Sequence, residues 1–357
     1  LCICTINRPH MIDFLTQWHS NFFDPDRIPT VLAAMLLCVV VGMITGPMTG
    51  NANAFLWQFI DRMIGKFGDK IDKPSRPQPD LIFRGFLITM LVIVIMGAMG
   101  KGFESIAAAK PLYGFTEIIL LSLSLSVGTV WFALLKLYFA QEQDKENGKV
   151  VKGAYLGIAR STRSDLTASD NFGITRMGMN FAARSFDKNM VAPVIWFLIA
   201  GFVGSCLYAG LAALSWRFGK DGATKGFGAT ALALEKLLGF FPAILSGLLI
   251  TMAGLFTPTA KLHKGITAWL GHKNRASYEQ GGFALSAMAW SLNVSLGGPA
   301  KDLKGDAIKT PWVGPKGATA KNNHKHLRRA IYINVIAHIL FVMTLLSLYT
   351  WSGILGS

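Results

Sequence analysis

The sequence predicts an all-α, polytopic helical membrane protein with about six transmembrane helices, plus interfacial or re-entrant helices in the loops between them. Three observations carry this. Six apolar stretches, at 28–48, 81–99, 115–139, 191–216, 234–256 and 330–349, each supply the roughly 20 helical residues that cover a hydrocarbon core about 30 Å thick. Charged residues make up only 15% of the chain, against about 25% in a water-soluble domain, and mean hydropathy is +0.41. The 37 glycines suit helices that approach one another through small faces.

The net charge of +15 carries a topology signal. Most of the 35 Lys and Arg fall in the loops 49–80, 140–190 and 257–329, so those loops are expected in the cytoplasm and both termini outside it. The implied setting is a bacterial inner (plasma) membrane. The implied partners are the bilayer, its acidic headgroups and other membrane subunits; no nucleic acid is expected.

Residues 1–27 read as a non-cytoplasmic lead-in with a possible surface helix at Asp13–His19, and 28–350 as one membrane domain. Leu1–His10 reads as upstream sequence or an extended start. Pro47 should end or kink the first span by removing a backbone donor. In the first loop Phe55, Phe59, Met63, Phe67 and Ile71 recur every four residues, opposite Gln58, Arg62, Lys66 and Lys70, which predicts an interfacial helix over 54–71. Pro74, Pro77 and Pro79 then make a stiff break before the second span.

Past the charged linker Gln141–Gly148, Thr167 or Ser169 should cap a helix reaching Arg184. Arg176, Asn180 and Arg184 share one face of it. With Arg160 and Arg163, Arg176 and Arg184 form the candidate anion-binding set. Gly281–Pro299 is a seventh apolar segment, re-entrant or packed but too short and glycine-rich to span. Lys325, Arg328 and Arg329 form a basic anchor for acidic lipid before the last span. No metal site is expected: Cys2 and Cys4 lack a partner pair, His263 and His272 lack acidic neighbours, and His324 and His326 do not share a helical face.

Several of these segments resemble the membrane-bound adenosylcobinamide-phosphate synthases of cobalamin biosynthesis, the CobD/CbiB family. The matching elements are Arg160-Ser161-Thr162-Arg163, Arg176, and Val191-Ala192-Pro193-Val194-Ile195-Trp196. Phe227-Gly228 through Pro242-Ala243 follows, then Ser286-Ala287-Met288-Ala289 with Leu296-Gly297-Gly298-Pro299 and Lys309-Thr310-Pro311-Trp312-Val313-Gly314. With Arg84-Gly85 they cover roughly 84–314. The resemblance implies an amide ligase joining cobyric acid, or its adenosylated form, to aminopropanol or its phosphate. Nucleotide hydrolysis would drive it with Mg²⁺, and Arg160, Thr162, Arg176 and Glu235 are the candidate catalytic residues, with Asp165, Asp170 or Asp187 as further acids.

The chain departs from the family pattern at polar positions. Ser161 stands for an Asp, Asn180 and Arg184 for Glu, Ser185 for Asn, and Lys188 for Asp. Residues 209–215 lack the charged members of another element, and Ile244 and 284–285 depart likewise. A carboxylate exchanged for a cation cannot hold Mg²⁺ in the same way. The first expectation is therefore a non-catalytic, repurposed accessory subunit of a membrane complex, with neither Mg²⁺ nor ATP. The alternatives are the ligase itself, with Mg²⁺ and ATP, and a transport or lipid-handling protein.

Overall fold

The computed structural model describes residues 24–73, 75–109, 114–143, 152–219, 226–257, 275–303, 305 and 307–356. The expected surface helix at 13–19, Cys2 and Cys4, most of the charged linker, and His263 and His272 lie outside them.

The architecture is an all-α bundle with, among the described residues, five helices long and apolar enough to cross a membrane. Asp24 opens the first by accepting from the Asp26 amide, 3.1 Å away, and α1 runs Ile28–Thr45. It ends at Gly46, just before Pro47 as expected. Helices α2 (Phe55–Ile60) and α3 (Lys66–Ile71) are joined by a π-helical turn, Asp61–Gly65, and realise the amphipathic stretch. The face that packs on the bundle, however, is Leu56, Trp57, Ile60 and Ile64, whereas Phe55, Met63 and Phe67 are exposed. Helix α4, Gln78–Ala109, is the second span.

The third expected span is interrupted. Helices α5 (Phe115–Ser122) and α6 (Gly128–Gln143) flank a non-helical stretch over 123–127. Backbone groups freed there find partners in neighbouring elements, as burial demands. The Leu123 carbonyl accepts from the Leu56 amide at 3.0 Å, and the Ser126 amide donates to the Asn189 carbonyl at 3.0 Å. Gly128 lies so close to α1 that a Cβ on it would sit 2.3 Å from the Val39 carbonyl oxygen.

Helix α7 is Lys152–Thr162. The next begins at Asn171, not at Thr167 or Ser169, because the Asp170 carboxylate caps the Gly173 amide at 2.7 Å. Helix α8 (Asn171–Phe186) continues through a π-helical turn, Asp187–Val191, into α9 (Ala192–Phe218), one 48-residue helical run.

That run doubles back. Ala200 (φ −129°, ψ 21°) and Gly201 (φ 60°, ψ −150°) break its helical geometry. Both sides of the break return to one place. Asn189 Nδ2 donates to Asn53 Oδ1 (3.0 Å), Asn53 Nδ2 to the Ser161 carbonyl (2.9 Å), and Trp216 Nε1 to that same carbonyl (2.6 Å). A straight helix would hold Asn189 and Trp216 about 40 Å apart. The residues after Trp216 accordingly sit at the same end of the bundle as α2 and α3: Arg217 pairs with Asp61, and with Asp69 Oδ2 at 2.5 Å. Alternating loop placement, which puts 49–80 and the segment after 216 on opposite faces, does not hold here, because an elbow at Gly201 replaces a single crossing.

Helix α10 (Ala229–Ala253) and α12 (His324–Gly356) complete the long helices. Between them α11 (Gly282–Leu292) is short and packed, not spanning. Two small antiparallel pairs follow it: β1 (Leu296–Gly297) with β4 (Trp312–Val313), and β2 (Ala300–Lys301) with β3 (Ala307–Ile308).

Candidate functional site

The π turn after α8 accommodates an extra residue per turn, a feature common at functional sites. It helps bury Asp187, Lys188 and Asn189, each 1% exposed. A buried ammonium needs an opposite charge. Lys188 Nζ finds it 2.7 Å away in Oε1 of Glu235 on α10, itself fully buried. The Tyr278 ring covers the ammonium, its centroid 4.0 Å from Nζ. The Tyr278 hydroxyl reaches the Glu235 carbonyl oxygen at 3.1 Å and Oε1 at 3.2 Å. Burial, reinforced by the Glu235 charge, holds this phenol well above its ordinary pKa, so it stays a donor. Only glycine fits opposite it: a Cβ on Gly239 would lie 1.9 Å from that hydroxyl. Ser246 donates to Asp187 Oδ1 at 3.0 Å or to the Pro242 carbonyl at 2.8 Å. Glu235 Oε2 and the Tyr208 hydroxyl are buried without a hydrogen-bond partner among the described residues.

Arg184, one turn earlier on α8, lies in the field of Glu235 and Asp187. Its guanidinium forms no hydrogen bond or ion pair among the described residues and lines an open cleft of ≈ 590 Å³, mouth included. Thr162, Asn180, Gln280, Gly298 and Thr310 share that wall. The wall is built by cross-links: Asn180 Oδ1 accepts from the Gly297 amide (3.1 Å), Gln280 Nε2 donates to the Pro311 carbonyl (3.1 Å), and Thr310 to the Gly298 carbonyl (2.5 Å). A free guanidinium beside hydroxyl and amide groups can bind phosphate or carboxylate oxygens.

Of the residues singled out from sequence, Thr162 and Arg184 meet on this cleft. Arg176 stands beside it, donating to the Pro299 carbonyl at 3.1 Å with Trp312 beneath, 4.6 Å to the ring centroid. Glu235 lies behind. Arg160 and Arg163 go elsewhere. Arg160 donates to the Thr49 carbonyl (2.5 Å), while Arg163 sits 3.6 Å from Asp61 and 5.4 Å from the Trp216 ring centroid. Burial, then the charge of Arg217, lowers the Arg163 pKa, and Asp61 opposes them. Lys325 and Arg328 are exposed at the start of α12 and Arg329 is half-buried. Sequence reasoning missed Tyr278, Tyr208, Ser246, Gln280 and Thr310, and treated Lys188 as a lost acid. The available signal was that two opposite charges in apolar segments, Lys188 and Glu235, should seek each other.

Whether this site suits a magnesium–nucleotide can be tested on its donors. Arg184 fits the phosphate end. The metal fits poorly: no three of His, Cys, Asp and Glu come together among the described residues. Asp187 and Glu235 are already engaged by Ser246 and by Lys188 with Tyr278.

The family model described as CobD/Cbib protein matches residues 16–334. The "Probable cobalamin biosynthesis protein CobD" of Methanococcus maripaludis (strain C7) is 27% identical over 273 residues, 70% of this chain and 87% of that protein. The "Cobalamin biosynthesis protein CobD" of Sinorhizobium sp is 23% identical over 302 residues, 82% and 90% of the two chains. The protein of that name in Stutzerimonas stutzeri (strain A1501) is 23% identical over 288 residues, 76% and 92%. No solved structure matches. These relatives overturn the expectation of a non-catalytic accessory subunit, or pseudoenzyme, since they carry biosynthesis names. That expectation weighed charges one position at a time, whereas the fold pairs Lys188 with Glu235 and keeps Asp187 beside it. By a match spanning nearly its whole length, the chain belongs to the CobD/CbiB protein family.

Proposed function

We propose that this protein is a membrane ligase of cobalamin assembly, forming the amide between a carboxylate of cobyric acid and the amine of aminopropanol phosphate at the expense of a nucleotide. Amide formation from a carboxylate and an ammonium formally releases one water, and nucleotide hydrolysis takes up that water and releases a proton. The observation that carries the reading is the Arg184 guanidinium, unpaired among the described residues, in a cleft backed by Glu235 and Asp187, in a chain matched by the family over residues 16–334.

In this reading Arg184 takes a phosphate group, with the second Nε2 hydrogen of Gln280 as a neutral donor, while Thr162 and Thr310 line the wall with their hydroxyl protons held by backbone carbonyls. Glu235 and Asp187 set a negative field behind it that favours an approaching ammonium. Arg176 holds the wall at Pro299 and Trp312. The replacement of family acids by Asn180 and Arg184 belongs to the same proposal, as a shift of this wall from metal-holding to direct anion contact. The protein would sit in the bacterial plasma membrane with the cleft on the cytoplasmic side, where nucleotide is available, and with both termini on the other side. Lys325, Arg328 and Arg329 would face acidic headgroups there.

The test is a reaction of the purified full chain with cobyric acid, aminopropanol phosphate and Mg-ATP, followed by mass. The amide product is expected. No turnover together with no corrinoid binding would refute the proposal.

A further inference from the structure

The segment 55–71 has acids and bases interleaved in sequence but sorted in space. Its two inward-turned carboxylates, Asp61 and Asp69, are both taken up by Arg217 at the end of α9. Glycines bring the helix flush against that end: a Cβ on Gly65 would lie 2.5 Å from the Arg217 guanidinium carbon, and one on Gly68 2.4 Å from Phe218. What remains facing outward is Arg62, Lys66 and Lys70, all exposed and in no ion pair among the described residues. Beside this cationic stripe run Met63 (48% exposed) and Phe67 (54%). The same apolar exposure continues onto the flanking spans, through Ile44 and Met48 on one side and Phe83 and Phe86 on the other.

We infer that this outer face docks on anionic phospholipid headgroups, with Met63 and Phe67 entering the boundary of the acyl chains and the three cations contacting phosphate. Charge and position select this occupant. An acidic soluble partner would meet the cations but not the apolar stripe, and a neutral bilayer would meet only the stripe. The helix also touches the cleft's own support, since Asp61 contacts Arg163, next in the chain to Thr162. Lipid bound here therefore bears on the cleft wall. The inference does not depend on the reaction proposed above.

The test is hydrogen exchange of the amides over 62–70, in the full chain reconstituted singly into nanodiscs. Each cation close to an anionic surface is worth about fivefold in affinity. Exchange is expected to slow about fivefold or more when phosphatidylglycerol is added to phosphatidylcholine. The combined substitution Arg62→Gln, Lys66→Gln and Lys70→Gln should abolish that difference while leaving exchange in α12 unchanged. Should the triple variant not fold, raising salt on the parent protein serves instead and should erase the slowing by screening. Equal exchange in the two bilayers would overturn the inference, as would slowing that survives the substitutions or high salt. Slowing seen only with two copies per disc would assign the face to self-association. Slowing by inorganic phosphate in neutral discs would assign it to free anions.

Discussion

The Lys188 ammonium lies 2.7 Å from Glu235 Oε1 at a point where neither side chain meets solvent. Removing one member strands the other, at a cost of about 3–5 kcal/mol. Glu235→Ala should therefore lower the thermal midpoint sharply in detergent. Glu235→Leu combined with Lys188→Met should recover most of the loss. A single variant as heat-resistant as the parent would mean the pair is hydrated after all.

Arg184 forms no hydrogen bond or ion pair among the described residues, so Arg184→Gln should leave the thermal midpoint nearly unchanged. Charge-assisted hydrogen bonds are worth about 1.5–3 kcal/mol, so kcat/KM should fall roughly 10- to 150-fold. The loss should concentrate in KM for the phosphorylated amine. Steady-state kinetics with aminopropanol and with its phosphate separates the two substrates, and an equal loss for both would count against phosphate contact.

Gly239 and Tyr278 form a matched pair. Gly239→Ala pushes a methyl into the Tyr278 hydroxyl and should destabilise by about 1–3 kcal/mol. Tyr278→Phe forfeits a hydrogen bond worth about 1 kcal/mol. Adding Tyr278→Phe to Gly239→Ala should restore stability, since the clashing atom is gone. Simple additivity in denaturation experiments would place the clash elsewhere.

Gly201 holds φ 60° and ψ −150°, a combination that costs other residues about 1–3 kcal/mol. Gly201→Ala should lower stability in that range, whereas Gly102→Ala, where a Cβ meets open space, should not. Equal unfolding midpoints for the two variants would show that the elbow tolerates a side chain.

Hydropathy made the long helices legible because lipid requires an uninterrupted apolar surface; α1, α4, α10 and α12 each overlap an expected stretch, with α4 running ten residues past Met99 and α12 extending beyond both expected ends. It could not reveal the break at 123–127, since Ser124 and Ser126 are small and their neighbours apolar. Nor could it reveal the elbow, because Ala200 and Gly201 sit in a run equally apolar on both sides. The four-residue stripe from Phe55 to Ile71 was a true helical period, but which residues of the segment pack on the bundle, Leu56, Trp57, Ile60 and Ile64, was not legible from it. Thr162 and Arg176 were visible as polar residues in elements that resemble the family pattern, Arg184 only as a departure from it, and Glu235 as an acid in an apolar segment. Their grouping was not, because it depends on the π turn at Asp187–Val191 and on a loop residue, Tyr278, that no periodicity marks.

The elbow at Gly201 also changes how charge should be counted along such a chain. A segment that enters and retraces its path leaves both flanks on the side where it began. The segment after Phe218 then falls out of step with a simple odd–even tally. A tally of arginines and lysines can satisfy the usual rule while placing that segment on the wrong face. Reporter fusions placed after Ile71 and after Phe218 should therefore give the same signal.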